Sequence, residues 1–282
     1  MGSIALAVTC AIPASAASEF KDVAMRCAAS AKDSKLIAYS ADLALDDAGR
    51  AFTVRGEKPE RRVTTVPYDD ILKVVVESVS SAPPVPGATA PQKRYWFYFE
   101  RKPGAYPERF VLDVGQDSPD LLAKARQTFG DRLREQEFPR AEELADLASL
   151  TDLSSNYSVR VRHPSPPMPA IPPDRALVVV VCPALDSAKK RPINLNANGR
   201  VVAVNQAGTY SFVYLDPGEY TIVSQAENAR WLRVKLEAGK AYYFFQDPLD
   251  AGDKTGLSMH TKELAMFEIA GASYSDWRRE KY

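Results

Sequence analysis

The stretch "WLRVKLEAGKAYYFF", Trp231 to Phe245, constrains the fold more than any other in the chain. Leu232, Val234 and Leu236 alternate with Arg233, Lys235 and Glu237, the period of a strand with one face buried and one in water. Glu237-Ala238-Gly239-Lys240 then reads as a turn and Ala241 to Phe245 as the returning strand. Similar runs surround it. "RALVVVVC" is apolar throughout, as strands covered on both faces are. "INLNANGRVVAV" reads as a hairpin in which Asn198-Gly199 supplies the positive φ angles of the turn. "GTYSFVYL" and "EYTIVSQ" flank Asp216-Pro217-Gly218, a type II turn signal. Such turns splay paired strands, so this corner should form a wider connection, or pass the chain between sheets, rather than close a tight hairpin. Short strands at this spacing, with no helix among them, predict an antiparallel β-sandwich of about seven strands over residues 175–282.

The boundary before it is "VRHPSPPMPAIPPD", where six prolines fall within Val161 to Asp174. Each removes a backbone donor and fixes φ, so neither a helix nor a central strand fits. A polyproline-like linker is expected over 154–174.

Residues 20–153 read as a separate domain, as the length prior of about two domains suggests. A short helix is expected near Phe20 to Ala31, then the strand-like runs "KLIAYSADLAL", "AFTVRG", "VTTVPYDDILKVVVESV", "RYWFYFERK" and "RFVLDVG". "SAPPVPGATAPQK", Ser81 to Lys93, reads as an exposed loop. From Ser118 the period changes. Leu121, Leu122, Ala125, Phe129 and Leu133 share one helical face, with Ser118 as cap and Pro119 in the first turn. "AEELADLASL" puts Leu144, Leu147 and Leu150 at helical spacing, so a further helix is expected over Arg140 to Leu153.

Several strands followed by one amphipathic helix resemble the PH-like superfold, including GRAM-type versions. "VPYDDILKVVVES", "YWFYFE", "RFVLDVG" and the helix from Ser118 carry the resemblance. It implies a bent β-sandwich with its C-terminal helix plugging one open end, and it implies no function. "RGEKPERR", Arg55 to Arg62, mixes Glu57 and Glu60 with its cations, unlike a polyphosphate-lipid site. "GTYSFVYLDPGEYTI" followed by "LRVKLEAGKAYYF" resembles the bacterial family of unknown function DUF2846, which implies a prealbumin-like or carboxypeptidase-regulatory-like sandwich. Members of that family are often exported or lipid-anchored, and it has no established activity or site residues to carry over.

The chain opens "MGSIALAVTCAIPASAASEF". The uncharged apolar run Ile4 to Ile12 is too short to span a bilayer, and Ala14-Ser15-Ala16 suits a signal peptidase. Residues 1–17 are therefore expected to be a signal peptide, cleaved after Ala16, although no Lys or Arg precedes the run. Export places the mature chain in the periplasm or outside the cell, with no transmembrane helix. Processing removes Cys10 and leaves Cys27 and Cys182, an even pair where disulfides form. A Cys27–Cys182 disulfide is one reading; the other is that Cys182 is simply a small buried residue. Lys plus Arg and Asp plus Glu both number 36, so the net charge is zero, which argues against nucleic acid as a partner.

Catalytic motifs are missing. The two histidines are His163, in the linker, and His260, in a late strand. They form no zinc cluster, and His260 reads as a strand-face residue rather than a triad member. Asp69-Asp70 reads as a cap or turn; a paired-acid site would need a convergence that spacing does not show. Asp247, Asp250 and Asp253 are spaced by three, unlike a calcium loop. Tyr95 to Phe99 alternate, so one set faces away from the core. That set packs under the helix or a loop or, where exposed, Trp96 and Tyr98 form a candidate ligand patch. The tail "YSDWRREKY" reads as a helical turn docking Trp277 on the sandwich, or as a partner contact. The expected protein is mainly β and two-domain: an exported, non-enzymatic binding or interaction module of the bacterial envelope. No cofactor or metal is expected, and its partner is an envelope protein or glycan. A glycan- or lipid-binding protein is the alternative. A hydrolase ranks third and needs a Ser–His contact or a buried carboxylate pair in a cleft.

Overall fold

The computed structural model describes residues 18–30, 33–47, 49–56, 63–81, 92–116, 119–145, 156–184 and 190–280. The expected signal peptide, the Ser118 cap and most of the 81–93 loop lie outside the described residues. The chain is mainly β, as expected.

The first half holds β1 (Ser18–Ser30), β2 (Asp33–Asp46), β3 (Ala51–Gly56), β4 (Val63–Pro67), β5 (Ile71–Ser81), β6 (Gln92–Arg101), β7 (Arg109–Gln116), helix α1 (Pro119–Phe129) and β8 (Leu133–Phe138). They form one curled sheet in the order β4-β3-β2-β1-β7-β6-β5-β8. The α1 stripe packs as the spacing predicts: Leu121, Leu122, Ala125 and Phe129 are buried in the core the sheet wraps. There Phe129 meets Phe99 edge-on at 5.9 Å. The helix expected near Phe20 is instead β1, whose Val23, Met25 and Cys27 face the core while Ala24 is exposed. Pairing with both β2 and β7 outweighs the helix preference of its Ala and Met residues.

The second half holds β9 (Glu142–Glu143), β10 (Tyr157–Arg162), β11 (Ala176–Cys182), β12 (Ile193–Ala197), β13 (Arg200–Asn205), β14 (Thr209–Leu215), β15 (Gly218–Gln225), β16 (Ala229–Leu236) and β17 (Ala241–Phe245). It continues with β18 (Pro248–Leu249), β19 (Lys254–Thr255), β20 (Ser258–His260), helix α2 (Lys262–Ile269) and β21 (Ser273–Arg279). A six-stranded sheet, β10-β21-β14-β11-β17-β20, stacks on a five-stranded one, β13-β12-β15-β16-β9. Val178, Val180 and Phe244 of the first meet Leu195, Ile222, Leu232 and Leu236 of the second. Asn198 and Gly199 take φ values of 49° and 80°, the hairpin turn their pairing predicts. Asp216-Pro217 carries the chain from the six-stranded to the five-stranded sheet, again as expected. Gly218 itself opens β15 at φ 155° rather than sitting in a type II turn.

Four expectations fail here, three through contacts distant in sequence and one, α2, through a local signal. The sandwich is not wholly antiparallel: β11–β17 and β14–β21 are parallel. Helix α2 interrupts the expected all-β run. Its start is capped by Thr261, whose side chain accepts from Leu264 N, and Lys, Glu, Leu, Ala and Met are strong helix formers. The expected tail helix is β21, which pairs with β10 and sets Trp277 against Tyr157 at 5.6 Å. Where a helix was expected from Arg140, β9 covers the edge of β16 instead; residues 146–155 lie outside the described ones.

Nor does 154–174 behave as a spacer. Its first part is β10. The proline-rich remainder lies across the six-stranded sheet, with the Tyr210 hydroxyl donating to Pro166 O at 3.3 Å and the Tyr214 hydroxyl to Ala170 O at 2.9 Å. A polyproline-like segment leaves its own carbonyls unbonded, so they accept these donors readily. The two halves also share a third core, in which Val75, Tyr98 and Val111 meet Leu177, Val179, Val181, Tyr243, Phe245 and α2. The all-apolar β11 is thereby explained, since one face fills the sandwich and the other the junction.

Candidate functional site

Strand alternation aims the site. On β5, Val74 and Val76 fill the first core while Val75, Glu77 and Val79 point the other way. Pairing aligns Glu77 with Trp96 and Trp96 with Asp113, and likewise Val75, Tyr98, Val111 and Arg26. Two rows of side chains therefore cross the outer face of the first sheet. From the second half, pairing places His260 opposite Tyr243 and Ser258 opposite Phe245, with both β20 side chains on the junction side.

Where these rows meet, Glu77 is 1% exposed. Its Oε2 accepts from His260 Nδ1 at 2.6 Å, and its Oε1 accepts from Thr261 N at 3.0 Å and from the Thr261 hydroxyl. Three donors converging on one carboxylate suit an acceptor-only group. With its proton on Nδ1, His260 presents Nε2 as an acceptor to the Ser258 hydroxyl, 2.8 Å away. Asp247 Oδ2 lies 3.4 Å from the same hydroxyl. The imidazole is held between Phe245, at 4.1 Å, and the edge of Trp96, at 5.3 Å.

This network opens on a cleft of about 500 Å³ between the halves, lined among others by Arg26, Arg94, Trp96, Arg140, Arg230, Asp247, Ser258, His260 and Glu268. Arg94 lies over the Trp96 ring, 5.0 Å from its centroid, and pairs with Asp113. Arg26 binds Glu268 of α2 at 2.8 Å. Burial pushes the Glu268 carboxyl up to about 7, with Asp247 adding to the rise and Arg26 and His260 opposing it. Lys73 and Arg134 of the first half both reach Glu263 at the start of α2, the latter at 3.3 Å. The pairs to Glu263 and Glu268 fasten α2 to the first sheet, and the Glu77–His260 contact fastens β20 to it.

Of the sequence candidates, Trp96 lines the cleft. Tyr98 does not: it is buried against Phe267 in the shared core. Cys27 and Cys182 are buried thiols and no disulfide joins them. Cys27 sits in the first core on β1, whereas Cys182 ends β11, where burial raises its thiol pKa and suppresses the reactive thiolate. Asp69 pairs with Arg50, Asp250 with Lys254 and Asp253 with Arg191, so these acids do not converge. Among the described residues no group of three His, Cys, Asp or Glu side chains could hold a metal ion, and no helix is long and apolar enough to cross a membrane. His260 is on a strand face as expected, but that face meets Glu77 and Ser258. Sequence reasoning passed over Glu77, Ser258, Arg26 and Glu268. The acids did leave a signal, since each stands alone in an apolar run, "KVVVESV" and "AMFEIAG". No family model, curated protein or solved structure matches the chain.

Proposed function

We propose that this is an exported envelope protein that holds a small anionic ligand, an acidic sugar foremost, in the cleft between its two halves. The cleft is the observation that carries the reading. Its volume of about 500 Å³ suits a small molecule. Of its four lining arginines, Arg26, Arg94 and Arg230 are paired with Glu268, Asp113 and Glu143. Guanidinium groups recognise carboxylates through paired hydrogen bonds. Arg140 is exposed and has no ion-pair partner among the described residues, and Trp96 supplies a flat apolar surface. Export is supported by the Ile4–Ile12 run and the Ala14-Ser15-Ala16 site.

A protein-interaction module is the second reading. Among the described residues the exposed large apolar side chains, Leu72, Tyr106, Val161, Ile171 and Leu249, lie on five separate segments of the chain. Calorimetric and fluorescence titration with glucuronate and with glucose tests the ligand reading. Glucuronate is expected to bind at least about tenfold more tightly, a difference of about 1.4 kcal/mol. Trp96→Ala and Arg140→Ala should each weaken it. Equal affinity for both sugars, or glucuronate binding indifferent to Trp96→Ala, contradicts the reading.

A further inference from the structure

We infer that Ser258 is an activated nucleophile, oriented with His260 and Glu77 for acyl transfer, and that the cleft accepts an ester of an acidic ligand. The choice of an acidic substrate rests on the ligand reading above; the nucleophile does not. Serine needs an adjacent base, and the base needs a third group to fix its tautomer. All three are in place. Ser258 Oγ is 2.8 Å from His260 Nε2, and His260 Nδ1 is 2.6 Å from Glu77 Oε2. Each nitrogen faces the partner the chemistry requires. The far oxygen of Glu77 is tied to Thr261, so the carboxylate cannot swing away from the ring. Ser258 and His260 line the open cleft, and so does Arg26, whose Nε–H is buried without an acceptor. A structural polar contact would need no serine at the base's other nitrogen and no adjoining space for a substrate.

In the first step, Ser258 Oγ adds to the ester carbonyl carbon while its proton passes to His260 Nε2. The intermediate collapses by breaking the bond to the alcohol oxygen, which leaves with that proton. Water then attacks the acyl-serine, again giving its proton to His260. The acid departs and the proton returns to Ser258 Oγ. Ester and water become acid and alcohol. Glu77 acts through His260 and is a positioning residue.

The test is exposure of the full chain to a fluorophosphonate probe, read by intact mass and peptide mapping, beside turnover of nitrophenyl acetate and of the anionic mono-nitrophenyl succinate. One adduct on Ser258 is expected, with faster turnover of the succinate ester. Ser258→Ala, which removes one hydroxyl and should still fold, is expected to lose labelling and at least ~100-fold in turnover. Glu77→Gln should lower kcat with KM held after the rate is divided by the folded fraction read by circular dichroism, a loss per folded molecule that loosened folding alone does not give. No adduct on Ser258 while glucuronate still binds overturns the inference and leaves the ligand reading intact. An adduct on Ser258 without glucuronate binding upholds the nucleophile and removes the acidic ligand.

Discussion

Glu77→Ala is expected to lower the unfolding free energy by about 3–5 kcal/mol, since it leaves three buried donors unpaired at about 1–3 kcal/mol each. The carboxylate is almost wholly buried and satisfies His260 Nδ1, Thr261 N and the Thr261 hydroxyl together. Truncation strands these donors where water reaches them poorly and leaves a cavity between the halves. Because Thr261 caps α2, the helix start loosens with them. Glu135→Ala is the matched control. Glu135 pairs with Arg126 at 2.6 Å on the surface, where such pairs contribute at most about 1 kcal/mol. Urea denaturation of both variants gives the comparison, and equal losses would contradict a buried anchor.

The second large effect is on pH dependence. Glu268 is pushed up to about 7 in the folded protein, from an ordinary value of 4.5, chiefly by burial. Below pH 4.5 the group is protonated in both states and its full stabilisation is present. Between pH 4.5 and about 7 the unfolded chain has released the proton while the folded one retains it. Stability therefore falls as pH rises, by about 3 kcal/mol at ~1.4 kcal/mol per tenfold change in proton affinity. Arg26, Asp247 and His260 all act on this carboxyl. The readout is thus the difference between wild type and Glu268→Gln, which keeps the shape and removes the titration. The wild type should lose stability relative to Glu268→Gln between pH 5 and 8. Parallel profiles would show that the buried carboxyl does not titrate in this window.

Local pattern made much of the fold legible. Leu232 and Leu236 face the sandwich core, as their alternation with Arg233 and Lys235 demands. The α1 stripe, the Asn198-Gly199 hairpin and the crossing at Asp216-Pro217 are equally local signals. The failures other than α2 share one physical cause, which is tertiary pairing. "FKDVAMRCAAS" has helix-forming residues, yet two neighbouring strands claim its backbone. "TKELAMFEI" carried a cap and good helix formers but follows directly on a strand. The alternation of Trp96 and Tyr98 with Phe97 and Phe99 signalled a second buried or ligand-facing side, but not that it would meet the other half of the chain. The site was hidden for the same reason. Glu77 and His260 are 183 residues apart, and only the packing of β20 against β5 and β6 brings them together.

The central claim is that Glu77, His260 and Ser258 form one buried relay at the junction of the halves. One-dimensional proton NMR of the folded protein in water tests it most directly. A ring proton held on Nδ1 against a carboxylate 2.6 Å away, in a site 5% exposed, should appear as a far-downfield, slowly exchanging resonance. That resonance should vanish in Glu77→Gln and shift in Ser258→Ala. A wild-type spectrum with no such resonance would contradict the junction on which both the ligand cleft and the nucleophile depend.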